Sequence, residues 1–252
     1  MLSSILQAVW FLQLALQGLL VAVLLAKGIW KKFSIFTTYA VLNFLSGVTY
    51  YLVFGVFKSA VPLSASYYIY WIPQWVTLFL GIWTVYEIFG HLFVPYPTLR
   101  RLAAAIFQWA MVALVVLGVV VRFSQSSLAG RNALTSYIVA EEAMRVVEVG
   151  LLMVLFLFAT TFGLHWRQYV FGIALGLGIF TTVQLAALTL RVHFGLPAGN
   201  GMQMADVLSF SASLMVWIGY LFAPERAAAR QQVPQRVQLE QWNQALTEII
   251  YQ

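Results

Sequence analysis

Apolar residues dominate seven stretches of the chain, at about 5–26, 34–57, 67–94, 102–122, 136–163, 169–190 and 205–222. A helix needs roughly 17–25 such residues to cross a hydrocarbon core ~30 Å thick, and each stretch is long enough. The connections between them run from about 5 to 15 residues, too short for an extramembrane domain, so consecutive helices are predicted to be antiparallel neighbours. The pattern therefore predicts an all-α polytopic membrane protein. Residues 1–223 form its domain of seven transmembrane helices, and residues 224–252 form a cytoplasmic tail.

The two ends of the chain break this pattern differently. After Pro224 the composition turns to Arg, Gln, Glu and Ala. From Pro234 onward Val237, Leu239, Trp242, Leu246, Ile249 and Ile250 recur at helical spacing against polar residues, which predicts a C-terminal amphipathic helix. Such a helix lies on the inner leaflet, docks under the bundle or pairs with a partner helix; the spacing alone leaves the three open. At the other end, residues 1–26 lack a basic leader, and their apolar run exceeds the roughly 7–15 residues of a signal-peptide core. They are read as a retained first span.

Inside the spans, Pro73 is expected to kink the third helix, with neighbouring helices or water satisfying the backbone group it frees. Gly172, Gly176 and Gly178 give the sixth helix a face of small residues that allows a second backbone to approach closely, a packing role.

Composition agrees with lipid as the solvent. The chain is 62% hydrophobic and only 9% charged, whereas soluble domains carry about 25% charged residues. A net charge of +6 would suit a nucleic-acid binder, but the basic residues stand singly or in pairs between apolar runs and form no patch. The bilayer is the expected partner, and nucleic acid is not.

The basic residues instead set an orientation. With the N-terminus outside, the cytoplasmic segments hold nine of them: Lys27, Lys31, Lys32, Arg100, Arg101, Arg167, Arg226, Arg230 and Arg236. The opposite side holds four, Lys58, Arg122, Arg131 and Arg191. Short loops rich in Lys and Arg stay inside, so the chain is predicted to be a multi-pass cell-membrane protein oriented N-out, C-in. Trp30, Tyr67, Tyr96 and Trp166 fall near span ends, where amphipathic rings settle.

Ionisable groups within a membrane cost about 2.5–3.5 kcal/mol each to insert, so they are candidates for function. The fifth span carries Glu141, Glu142, Arg145 and Glu148. At 100° per residue Glu141, Arg145 and Glu148 make one stripe, with Glu142 beside it. One guanidinium among three carboxylates leaves negative charge to be met by a proton, a cation from another helix or a cationic ligand. This stripe is the expected ligand-binding or proton site, in the outer half. Its depth has two readings. A span starting near Ser136 puts Glu148 on the order of 18 Å down the helix, whereas a span over residues 146–164 leaves the cluster at a hydrated mouth. A secondary polar pair, Glu87 and His91, sits at i,i+4 spacing in the third span, suited to a proton relay or to a helix-end hydrogen bond.

Several chemistries are excluded. The chain has no cysteine, which removes thiolate metal sites, disulfides and cysteine nucleophiles. No third ligand falls at metal spacing with His165 or His193. Lys27, Lys31, Lys32 and Lys58 all lie at loops, so no helix offers a Schiff-base lysine for retinal. Phosphate-loop, zinc-protease, nucleophile-elbow and kinase motifs are absent. Neither an enzyme nor a cofactor is expected.

The strings Tyr86-Glu87-Ile88-Phe89, residues 95–101 (PYPTLRR), Gly172-Ile173-Ala174-Leu175-Gly176 and Leu239-Glu240-Gln241-Trp242-Asn243 resemble uncharacterised seven-span bacterial membrane proteins. In layout these are similar to the seven-helix sensor modules that precede some bacterial signalling domains. The resemblance implies a bacterial inner-membrane sensor. The chain departs from it in carrying no output domain after residue 223, so signalling would pass to a membrane or cytoplasmic protein partner engaged through the tail. Pro73-Gln74 is similar to the motif of PQ-loop transporters, but the second copy those proteins carry in a matching helix is missing here. A sensor or receptor-like module is thus expected; a small-solute or proton-coupled transporter and a structural subunit of a membrane complex are the alternatives.

The orientation has a direct check. With single cysteines introduced at Ser126 and Ala228, a membrane-impermeant maleimide added to intact cells should label the first and spare the second. Labelling of position 228 from outside would reverse the topology.

Overall fold

A computed structural model describes residues 2–57, 62–92, 133–161, 168–194 and 200–223, with scattered positions between 101 and 116. These residues form six α-helices. They are α1 (Leu2–Ala26), α2 (Ser34–Tyr50), α3 (Leu63–Leu92), α4 (Ala133–Thr161), α5 (Gln168–Phe194) and α6 (Asn200–Phe222). Between α1 and α2 the chain turns at Gly28, whose φ of 65° lies in the left-handed region that glycine enters without a Cβ clash, and then makes one 3-10 turn over Ile29–Lys31. A π-helical turn, Tyr51–Val56, extends α2, and the Phe57 N–H there donates to the Leu52 carbonyl five residues back.

Five segments are long and apolar enough to cross a membrane: Gln7–Ala26, Ser34–Val56, Ala65–Leu92, Tyr169–Leu190 and Met204–Phe222. They coincide with the first, second, third, sixth and seventh expected spans, as befits a multi-pass membrane protein. The fifth expected span lies in α4, whose 29 residues extend about 43 Å and include the four charged side chains Glu141, Glu142, Arg145 and Glu148. The fourth expected span lies outside the described residues apart from scattered positions, and so does the tail with its amphipathic helix.

The described helices close into a ring. Each packs on the next in order, from α1 on α2 through to α5 on α6, and α6 returns to α1; α3 also touches α5 across the middle. At the closure the Lys27 ammonium donates to the Leu221 carbonyl and lies 5.3 Å from the centre of the Phe222 ring. A cation there meets backbone carbonyls that the end of α6 leaves unpaired.

The bundle is apolar inside and out. Phe36, Ile82, Val85, Ile88, Leu155, Leu177, Leu214 and Trp217 are buried in one continuous core, while Leu12, Leu25, Trp83, Met153, Leu157 and Met215 face outward. A water-soluble bundle would put charges at the outer positions; lipid does not require them. Hydroxyls inside the helices are satisfied locally, as where Thr37, Thr84, Thr181 and Ser213 donate to carbonyls four residues back.

α3 runs unbroken through Pro73. In the turn before it the Tyr50 hydroxyl of α2 donates to the Tyr70 carbonyl at 3.0 Å, and Thr77 donates to the Pro73 carbonyl at 2.9 Å. The glycine face of α5 is used in an unexpected way. Aromatic rings, rather than a bare backbone, fill it: Trp217 lies against Gly176 and Tyr220 against Gly172, while Gly178 faces open space. The Trp217 indole N–H donates to the Ile173 carbonyl at 3.2 Å, so the notch holds the ring both by shape and by a hydrogen bond.

The notch yields a paired prediction. A Cβ at Gly176 would overlap the Trp217 indole, so Gly176→Ala should cost about 1–3 kcal/mol, read as a lower unfolding temperature in detergent. Gly178→Ala meets no neighbour and should stay within about 1 kcal/mol of the parent.

Candidate functional site

A cavity of about 610 Å³ lies within the ring, and all six described helices line it. α1 contributes Trp10, Gln13 and Gln17, and the last turns of α2 contribute Asn43, Ser46 and Tyr50. The first half of α3 adds Tyr70, Gln74 and Thr77; α4 adds Glu141 and Arg145. The middle and second half of α5 give Phe180 and Gln184, and the start of α6 gives Asp206 and Phe210. Early residues of α1, α3, α4 and α6 thus meet late residues of α2 and α5. Antiparallel helices do this only at one end of a bundle, so the cavity occupies the half in which α1 begins.

Beneath it the bundle is packed. Phe180 and Phe210 in the cavity wall meet at 4.9 Å between ring centres, and Phe210 meets Trp217 at 6.2 Å. Trp217 in turn contacts Phe36 at 5.2 Å and Tyr39 at 6.2 Å. These edge-to-face contacts form an aromatic floor of buried rings.

Arg145 connects wall and interior. Its Nη1 donates to Glu148 Oε2 at 2.9 Å, and its Nη2 lies 4.0 Å from Glu141. The guanidinium sits 5.1 Å from the centre of the Phe180 ring. Glu148 is wholly buried, and its second oxygen, Oε1, has no hydrogen-bond partner. That oxygen lies against α3 at Gly81, where a Cβ would stand 2.6 Å away. Gly81 is therefore the position that lets the carboxylate fit between the helices.

The four residues of the expected site share α4 but not one environment. Glu141 and Arg145 line the cavity, and Glu148 lies below them as the anion bound to Arg145. Glu142 turns toward α5 and accepts a hydrogen bond from Thr189 at 3.0 Å. α4 begins at Ala133, which places Glu148 roughly 22 Å along the helix, where it is fully buried within the bundle.

The secondary pair, Glu87 and His91, is placed at the opposite end of α3, and its carboxylate serves another helix. Glu87 accepts from the Ile35 and Phe36 N–H groups at 3.0 and 2.9 Å, and from the Ser34 hydroxyl at 3.4 Å. Phe33, at the N-cap of α2, has no side chain that could do this. Glu87 thus caps α2 from across the bundle, where a negative charge also suits the helix dipole. His91 Nδ1 contacts the Glu87 carbonyl at 2.9 Å instead of its carboxylate, and its ring packs on Phe33 at 4.4 Å.

Sequence reasoning centred on charge and missed the amides. Gln13, Gln17, Asn43, Gln74 and Gln184 all line the cavity, and Gln13 and Gln17 stand at i,i+4 spacing within an otherwise apolar first span. Paired amides in a span were the available signal, because hydrocarbon offers them no partner. Comparison with family models, curated proteins and solved structures found no match.

The ion pair carries a stability prediction. Arg145→Ala strands the buried Glu148 carboxylate and should lower stability by about 3–5 kcal/mol. Adding Glu148→Gln removes the stranded charge and should restore part of the loss. Thermal unfolding in detergent reads both variants; a single variant as stable as the parent would mean that the pair is hydrated.

Proposed function

We propose that the protein is a seven-span membrane sensor or receptor-like module, oriented N-out and C-in, that binds a small ligand in the six-helix cavity and acts through a partner protein. The observation that carries this reading is the cavity itself. Its volume of about 610 Å³ lies in the range of small-molecule sites, and its lining mixes aromatic rings with amides and charged groups that hydrocarbon would not stabilise.

The half below favours a receptor over an open conduit. Phe36, Tyr39 and Trp217 close the floor, and buried aliphatic side chains fill the rest. The placement of helix ends supports the count of seven: α3 finishes at the end away from the cavity, whereas α4 starts at the cavity end, which calls for one more crossing between them. The excess of Lys and Arg at the far end supports the orientation and would put the cavity in the outer half. α1 and α6, which both line the cavity, are also the helices joined at their far ends by Lys27 and the Leu221 carbonyl, immediately before the tail. A change in their spacing has a short route to a partner held there.

A second reading, a small-solute transporter, draws on one feature. The π-helical turn Tyr51–Val56 and Pro73 lie on either side of the Tyr50–Tyr70 hydrogen bond, and π-turns beside a site often mark where a helix shifts.

The two readings separate in a single preparation. A thermal-shift screen of small polar and amphipathic molecules on the nanodisc-embedded protein should yield a stabilising ligand, and proteoliposomes should bind that ligand saturably without accumulating it. Accumulation inside the vesicles would favour transport. A screen in which nothing stabilises the protein would remove the ligand-binding reading.

A further inference from the structure

We propose that the turn between α1 and α2, residues 27–32, is a docking site for the headgroup of an anionic phospholipid. It lies at the end of the bundle away from the cavity and is independent of the ligand-binding reading above.

The turn is built to hold its charges outward. Gly28 reverses the chain at a φ of 65°, and the Lys32 and Phe33 N–H groups both donate to the Ile29 carbonyl, at 2.8 and 2.9 Å. Ile29 and Phe33 are buried in the core, so the segment between them is pinned at both ends. Trp30, Lys31 and Lys32 are left exposed, and so is Lys27 just past the end of α1.

These ammonium groups lack a counter-charge. Among the described residues no carboxylate forms a salt bridge with Lys27, Lys31 or Lys32. Glu87, the carboxylate beside the start of α2, is taken up by the Ile35 and Phe36 N–H groups and the Ser34 hydroxyl. Lys27 gives one donor to the Leu221 carbonyl, and an ammonium has others to offer. Like charges this close along the chain repel one another until an anion arrives.

Depth identifies the source of that anion. α1 and α2 are both long and apolar enough to cross a membrane, and only residues 27–33 join them, so the turn stands at the level of lipid headgroups. An exposed Trp ring suits that level, and the Lys31 ammonium lies 5.6 Å from the centre of Trp30. Exposed Leu25 and Phe222 adjoin the turn, the Phe222 ring 5.3 Å from Lys27, and offer apolar surface to acyl chains. A soluble anion would gain nothing from these side chains. An acidic protein segment would have to enter the headgroup layer to reach so short a turn. Each lysine beside an anionic leaflet adds about fivefold in affinity.

The test offers the purified full chain, in neutral detergent, equal amounts of dioleoylphosphatidylglycerol and dioleoylphosphatidylcholine, and native mass spectrometry reads which lipid is retained. Phosphatidylglycerol should be favoured about tenfold or more. Lys31→Gln with Lys32→Gln should remove that preference while the unfolding temperature stays at the parent's, because both side chains are exposed. Trp30→Ala should weaken phosphatidylglycerol several-fold with every charge kept. Lys58→Gln, expected on the opposite side of the membrane, should leave the preference unchanged. Neither excess glycerol phosphate nor a polyglutamate peptide should displace the lipid. If the double variant fails to fold, Lys32→Gln alone carries the test, with a loss of about fivefold. Equal retention of the two lipids by the parent would overturn the proposal, as would a preference that survives the lysine substitutions or is lost equally in Lys58→Gln. Displacement by glycerol phosphate would overturn it in favour of a soluble phosphate, and displacement by polyglutamate in favour of an acidic protein partner.

Discussion

Hydrocarbon cannot donate or accept a hydrogen bond, and the arrangement of this bundle follows from that constraint. Every polar group placed in the helices must find its partner within the protein. The Ser and Thr hydroxyls do so within their own helix, at no cost to packing. Charged groups cannot, and they set which helices face each other. Glu87 ties α3 to the start of α2, and Lys27 ties α1 to the end of α6. Within α4 itself Arg145 and Glu148 share a charged hydrogen bond, and the pair faces Gly81 on α3 and Phe180 on α5.

The cavity is where this rule is relaxed. Gln13 Oε1, Gln17 Oε1 and Arg145 Nε belong to lining residues and are buried without partners, as is the second oxygen of Glu148 just below, within a protein whose other described polar groups are largely matched. Their concentration at one end of one bundle supports the proposed site, because a fold under no functional demand gains stability by replacing such groups with apolar ones. Below the cavity the aromatic floor and the glycine notch are closely packed.

The bundle was legible in the sequence as far as periodicity and length reach. Five apolar runs appear as helices at their expected positions, and in the α4 stripe Arg145 and Glu148 are buried while Glu141 lines the cavity. What the sequence left hidden are pairings between distant positions. Nothing local to Glu87 indicates that it caps α2, because the missing cap is at Phe33, far back in the chain. Gly81 reads as an ordinary small residue until Glu148 is seen against it. The glycines of α5 announced a close approach but not that indole and phenol rings would make it, since a small-residue face specifies room and not its occupant. The amides of α1 were visible all along; they were overlooked because an uncharged side chain in an apolar run attracts less notice than a carboxylate.

The closure of the ring has a consequence for biogenesis. α1 and α6 are neighbours, yet Lys27 and its partner carbonyl on Leu221 are separated by 194 positions in the chain. At roughly 5–20 residues per second, α1 waits on the order of 10–40 seconds in the membrane before its second neighbour is synthesised. During that interval the side of α1 that α6 covers in the finished protein is open to lipid. The nascent protein is accordingly most vulnerable to quality control not while its charged helix enters the bilayer but in the interval just before α6 completes the ring.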